Sequence, residues 1–159
     1  MNGTSIVAVW VDWQTCKKAG CSGFVNMRDM SKYAFKCEVE PRFLPAQSMP
    51  HEGVFAFSYT VTVTNTGEVA AQLISRHWVI VDANGMNEEV KGLGVVGQQP
   101  LLRPGESFQY TSACRLRTAS GTMHGSYFCV AEDGSRFEAP IALFVLEASH
   151  GAAPPRLLH

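Results

Sequence analysis

Long hydrophobic runs are missing from this sequence. No window approaches the about 18 consecutive apolar residues of a membrane helix, so no segment reads as a spanning helix. Charge of either sign is equally short. With Lys and Arg at 13 against Asp and Glu at 14, the formal net charge is −1, which supplies no field to draw the chain onto nucleic acid or an anionic membrane. Cysteine is sparse and odd in number, the 5 residues standing at irregular positions 16, 21, 37, 114 and 129. That usage suits free thiols in a reducing compartment and predicts a cytoplasmic protein without a disulfide framework. Metal-site spacing is lacking too. Cys16 and Cys21 have no second Cys or His pair to complete a tetrahedral site, and neither H-x-x-x-H nor C-x-x-C occurs, so no metal and no cofactor is expected. No Ser-His-Asp or Cys-His pairing has a motif around it and G-x-S-x-G is absent, which points away from an enzyme.

What remains is one domain's worth of ordinary globular composition, 159 residues with 46% hydrophobic content. The apolar stretch Ile6 to Val11 has no preceding Lys or Arg and runs into Asp12, so it does not read as a secretory signal. Residues 1–29 show no sustained period and are expected to be an N-terminal extension, mobile or arising from a start upstream of Met27 or Met30. A domain is predicted over residues 30–148. Residues 149–159, with Pro154 and Pro155, read as a disordered tail.

Within the domain no window has helical periodicity. The alternation of Phe55, Phe57, Tyr59, Val61 and Val63 with small or hydroxylated residues gives a strand with one buried face. Tyr33 to Glu40 alternates similarly, with Pro41 limiting it to an edge or ending it, and the prolines and glycine of 44–53 predict a loop without regular structure. Leu73 to Asp82 is apolar on both sides, as a covered or central strand requires. Simple alternation puts Ile74, Arg76, Trp78 and Ile80 on one face and Leu73, His77, Val79 and Val81 on the other. Turn signals at Asp82 to Gly85, Arg103 to Glu106 and Glu132 to Ser135 separate further strands over 107–114, 123–131 and 137–147. Roughly six to eight strands at such intervals predict an all-β antiparallel β-sandwich, fibronectin type III or immunoglobulin-like, without the paired cysteines of true immunoglobulin domains.

Four unusual blocks stand in register along this frame: S-R-H-W-V-I-V-D-A-N-G from Ser75, V-K-G-L-G-V-V-G-Q-Q-P from Val90, R-P-G-E-S-F-Q-Y-T-S from Arg103 and S-G-T-M-H-G-S-Y from Ser120. In order and spacing they resemble the ApaG family over Tyr33 to Glu147. The resemblance implies a fibronectin type III-like sandwich in a small bacterial protein whose family has been linked to cobalt tolerance and magnesium efflux. The family's gene often neighbours that of a diadenosine tetraphosphate hydrolase. Related domains in larger eukaryotic proteins, including F-box proteins and a partner of DNA polymerase delta, look like protein-interaction modules. The sequence departs from the family where glutamates usually flank the loop glycines, carrying Leu93 and Gln98 instead. It also has Ile141-Ala142-Leu143-Phe144 without the family's proline. Losing both carboxylates argues against the loop as a cation chelator.

Two stretches carry the candidate site. Gly92-x-Gly94-x-x-Gly97 has the spacing of a dinucleotide fingerprint, but Val95, Val96 and Pro100 argue for extended chain and deny it the helix start that holds a pyrophosphate. It is read as a shaped loop and a protein-contact surface, with a backbone nest for a phosphate as the alternative. Arg76, His77 and Trp78 form the second. Trp78 is read as core, His77 as hydrogen-bonded on the opposite face and Arg76 as making a buried or rim ion pair. The functional alternative makes Arg76 an anion contact beside the glycine loop, with His124 adding a ring nitrogen. The function expected is a non-enzymatic module that binds a protein partner, with an edge strand as a route to self-association. The alternative is a sensor of a nucleotide, pyrophosphate or metal–phosphate complex.

Overall fold

The computed structural model describes residues 32–149, so the expected extension, its two cysteines and all but the first residue of the C-terminal tail lie outside the described residues. Eight strands run in order: β1 (Phe35–Phe43), β2 (Phe55–Asn65), β3 (Ala71–Asp82), β4 (Asn87–Leu93), β5 (Leu101–Leu102), β6 (Ser107–Leu116), β7 (Ser120–Ala131) and β8 (Arg136–Glu147). They form two antiparallel sheets, β1-β2-β6 and β4-β3-β7-β8, with β5 extending the second sheet on β3. No helix among the described residues is long and apolar enough to cross a membrane.

Alternation built these sheets as expected. The inner face of β2 buries Phe57, Tyr59, Val61 and Val63, while the hydroxyls of its other face pair across to β6, Thr60 with Thr111 and Thr64 with Ser107. Trp78 is the centre of the core. Its ring meets Tyr59 of the opposite sheet at 5.4 Å, Phe144 at 6.1 Å and Tyr127 at 6.2 Å, all edge-on, the arrangement aromatic quadrupoles favour. The hydroxyls of Tyr110 and Tyr127 bond to each other across the two sheets, which lets two buried phenols sit in an apolar core. Cys114 and Cys129 are buried and Cys37 is partly buried against the core. Burial pushes all three thiols up to about 12, which makes them small hydrophobes rather than nucleophiles.

Several expectations change in detail. β1 continues through Pro41 to Phe43, which an edge position permits because the missing N–H can face away from β2. The prolines of the following loop do not exclude regular structure. They open two single 3₁₀ turns, Pro45–Gln47 and Pro50–Glu52, where an absent N–H costs nothing. The two faces of β3 are not those of simple alternation either. Leu73 and Trp78, of opposite parity, are both buried because the pairing with β7 skips Ile74. One bulged residue inverts every side chain on one side of it relative to the other.

The β7–β8 turn is held to the start of the described chain. Tyr33 donates its hydroxyl to the Asp133 carboxylate, and the Ser135 N–H donates to the same carboxylate at 3.0 Å. Those two bonds, in that order, lead in pulling the Asp133 carboxyl down to about 2. Its folded value lies below its unfolded one. The stability it contributes is therefore complete above the ordinary aspartate range of about 4 and is lost as pH falls through about 2. Asp133→Asn is expected to be less stable than the parent at neutral pH, with the difference closing as acid unfolding is followed from pH 4 downward. Parallel curves over that interval would show that the bond contributes nothing.

Candidate functional site

Arg76 and His77 are neighbours on β3 and so project to opposite sides of the sheet. Arg76 shares the inner face with Trp78 and is paired with Gly92 on β4. A Cβ built on Gly92 would stand 2.9 Å from Cζ, Nη1 and Nη2 of Arg76 alike. Equal distances mean that the guanidinium lies flat over the glycine, and this surface exists only because position 92 has no side chain. Nη1 then donates to the carbonyl oxygens of Leu93 at 3.0 Å and Gly94 at 2.8 Å. The expected carboxylate partner is not found. Among the described residues Arg76 makes no ion pair, and carbonyl dipoles alone face its charge. Beneath it, burial pushes the phenols of Tyr59 and Tyr110 up, Arg76 being one of the smaller influences in the other direction.

His77 sits on the outer face, where Nε2 lies 3.2 Å from Oε2 of Glu89, and Lys91 Nζ lies 3.4 Å from that same oxygen. Hydrogen bonds from His77 first and Lys91 second hold the Glu89 carboxyl below the usual range. His124 pairs with Val79 and therefore belongs to the outer face as well. It does not join Arg76 in the anion site that the functional alternative supposed. No group of three or more His, Cys, Asp or Glu among the described residues is placed to hold a metal ion.

The glycine stretch divides into a strand end and a turn. Gly92 is a β4 residue, not part of a loop. Gly94 has φ 62° and donates its N–H to the Ile74 carbonyl at 2.8 Å. Val95 and Gln98 exchange backbone bonds of 2.8 and 2.9 Å around Val96 (φ 46°) and Gly97 (φ 76°). Two successive positive φ values are the pattern of a type I′ turn, so the segment expected to be extended reverses sharply. The N–H groups of Gly94, Val95 and Gln98 are thus all engaged within the protein, which leaves little of the nest an anion would need.

Ile74 explains why the turn stays in place. The residue that the β3–β7 ladder skips offers its carbonyl to the turn, accepting Gly94 N–H and, at 2.9 Å, Gln99 Nε2. The bulge and the glycine turn are one unit. Alanine at Gly94 would bring its Cβ to 2.4 Å from the Gln98 carbonyl at an unfavourable positive φ. Gly94→Ala is expected to cost about 2 kcal/mol, measured as a lowered urea midpoint with an unchanged slope. A stability within experimental error of the parent would mean that the turn readily opens.

Sequence reasoning missed two residues beside this site. Leu93 and Leu101 are 75% and 59% exposed and, by their pairing with Ser75 and Gln72, stand on the outer face either side of the turn. Alternation assigns exposed positions to polar residues, so two leucines there carry a signal only once burial is known.

Comparison with known proteins places the whole arrangement. The ApaG domain family matches residues 45–131. Protein ApaG of Acidovorax sp. (strain JS42) is 66% identical over 137 residues, covering 82% of this chain and 100% of that protein. Protein ApaG of Ralstonia nicotianae is 58% identical over 130 residues with the same coverage. Among solved structures, the crystal structure of the ApaA protein from Bordetella pertussis superposes with a TM-score of 0.73 at 52% identity, covering 79% of this chain and 98% of that one. A three-stranded and a five-stranded sheet closed on Trp78, a matching solved structure and full-length relatives at this identity lead to one conclusion: the chain belongs to the ApaG family.

Proposed function

We propose that this protein is a non-enzymatic, cytoplasmic interaction module, a fibronectin type III-like sandwich that contacts a protein partner at the glycine-turn end of its larger sheet. One observation carries the reading. Arg76 is immobilised over Gly92 by two carbonyls, half-buried, with no carboxylate to match its charge among the described residues. A fixed, planar, unmatched cation is suited to meeting a carboxylate brought by another molecule, since little ordering entropy remains to be lost on binding. The thiols support the same reading, because burial leaves Cys37, Cys114 and Cys129 pushed up to about 12 and unsuited to nucleophilic work. Any tie to Co2+ or Mg2+ physiology then runs through the partner.

Affinity capture from cell extract, with the partner identified by mass spectrometry, tests the reading. The partner is expected to disappear with Arg76→Ala and to persist with His77→Ala, whose side chain faces the other way. The second reading, a small-ligand sensor, draws on the same unmatched cation. Nuclear magnetic resonance titration with nucleoside polyphosphates, Mg2+ and Co2+ separates the two. Saturable shifts centred on Gly92 to Gly97 would establish the sensor in place of the module.

A further inference from the structure

Among the described residues β4 is the terminal strand of its sheet, so one side of its backbone has no described strand to pair with. Its first half carries Glu88 and Glu89, charges that discourage indiscriminate edge pairing, whereas its last residues are Gly92 and the exposed Leu93. These two flank the edge from opposite faces. Arg76 lies over Gly92 on the inner side, and Leu93 projects from the outer side. An extended peptide laid along the edge would present its alternate side chains to those same two faces.

Resting on the interaction-module reading, we propose that the β4 edge receives an extended strand from the partner, with a carboxylate of Asp or Glu set on Arg76 and a neighbouring apolar side chain set on Leu93. The charge decides the first position. Both Nη1 hydrogens are held by the Leu93 and Gly94 carbonyls, which leaves the Nε–Nη2 edge of the guanidinium as the fork that a carboxylate oxygen pair fits. Exposure decides the second, since Leu93 is 75% exposed and an apolar contact there removes surface from water. Backbone pairing through Lys91 and Leu93, whose peptide groups alternate away from β3, supplies affinity without regard to sequence, and the acid–apolar alternation supplies selectivity.

Panning a random peptide library displayed on phage against the full chain tests this. Enriched peptides are expected to share an acidic residue adjacent to an apolar or β-branched one. Synthetic copies are expected to shift the backbone amides of Val90 to Leu93 and to slow hydrogen exchange at Lys91 and Leu93, whose N–H groups alternate away from β3. Calorimetric affinity is expected to fall about tenfold or more with Arg76→Gln and also with Arg76→Lys, which keeps the charge and loses the fork. Leu93→Glu, at a position too exposed to disturb folding, is expected to do the same, and His77→Ala to leave affinity unchanged. Peptides without an acid, binding indifferent to Arg76, an Arg76→Lys variant that binds like the parent, or no enrichment at all would each overturn the strand-addition proposal. So would inorganic pyrophosphate alone reproducing the Arg76 shifts. An identified partner still captured from extract in those cases would leave the module reading standing with a different surface.

Discussion

Gly125→Ala is expected to cost about 3 kcal/mol or more of folding stability, a large share of the roughly 5–15 kcal/mol that holds a domain together. Gly125 lies in the middle of β7 directly opposite Trp78 on β3. A Cβ there would sit 2.0 Å from the His77 carbonyl oxygen and 3.1 Å from Trp78 Cα. Both are backbone atoms of a strand paired on each side, so nothing nearby can swing away, and β3 would have to separate from β7 beside the Trp78 aromatic cluster. Gly97→Ala makes the comparison informative. Position 97 has φ 76° and no neighbour within 4 Å of a new Cβ, so only backbone strain opposes the substitution. It is expected to cost about 1 kcal/mol. Urea unfolding followed by tryptophan fluorescence would rank the two. Equal costs would show that conformation, not space, is what Gly125 supplies.

Asn65→Ala is expected to cost about 3 kcal/mol. Asn65 is 2% exposed and its side chain makes three bonds, Nδ2 to the carbonyls of Val69 and Leu102 at 2.9 Å each and Oδ1 from the Gly67 N–H at 2.9 Å. Its own carbonyl accepts from Gly105 at 2.8 Å. The side-chain amide therefore joins the end of β2 to the turn into β3 and to β5, and the backbone carbonyl of the same residue holds the turn into β6. Deleting the amide takes a donor from each of two carbonyls at a site where water has little access, while the Gly67 N–H keeps its second bond, to the Ala34 carbonyl at 3.1 Å. Asn65→Asp separates shape from chemistry, because a carboxylate has the size of the amide but cannot donate to Val69 and Leu102. At neutral pH it is expected to be at least as damaging as alanine. An aspartate variant as stable as the parent would show that the two carbonyls find other donors.

The two residues differ in how far the sequence announces them. Asn65 closes a clear alternating strand and begins Asn-Thr-Gly, which reads as turn chemistry, yet nothing in that order reveals a carbonyl from Leu102 on its far side. Gly125 shares a face of its strand with Met123, Tyr127 and Cys129 by alternation, but its necessity arises from β3 lying beside it, a relation of residues far apart in the chain. The same holds for the candidate site. The unusual content of Arg76, His77 and the glycine stretch was legible, and so was the failure of that stretch as a helix-capped phosphate loop. The opposite facing of His124 and Arg76, the carbonyls in place of a carboxylate and the exposed leucines were not.

Alternation, turn residues and the absence of helical periodicity determined by themselves that this chain is an antiparallel β-sandwich, because side-chain period and turn chemistry are local properties. Four motif blocks in register determined its family. Only tertiary structure decided which residues of β3 face inward, because one bulge at Ile74 reverses parity and both Leu73 and Ile74 are apolar. Tertiary structure likewise gave the glycines their meaning. Gly92 and Gly125 are small because a guanidinium and a neighbouring strand occupy the space beside them, and such space is fixed by packing between neighbouring strands rather than along the chain.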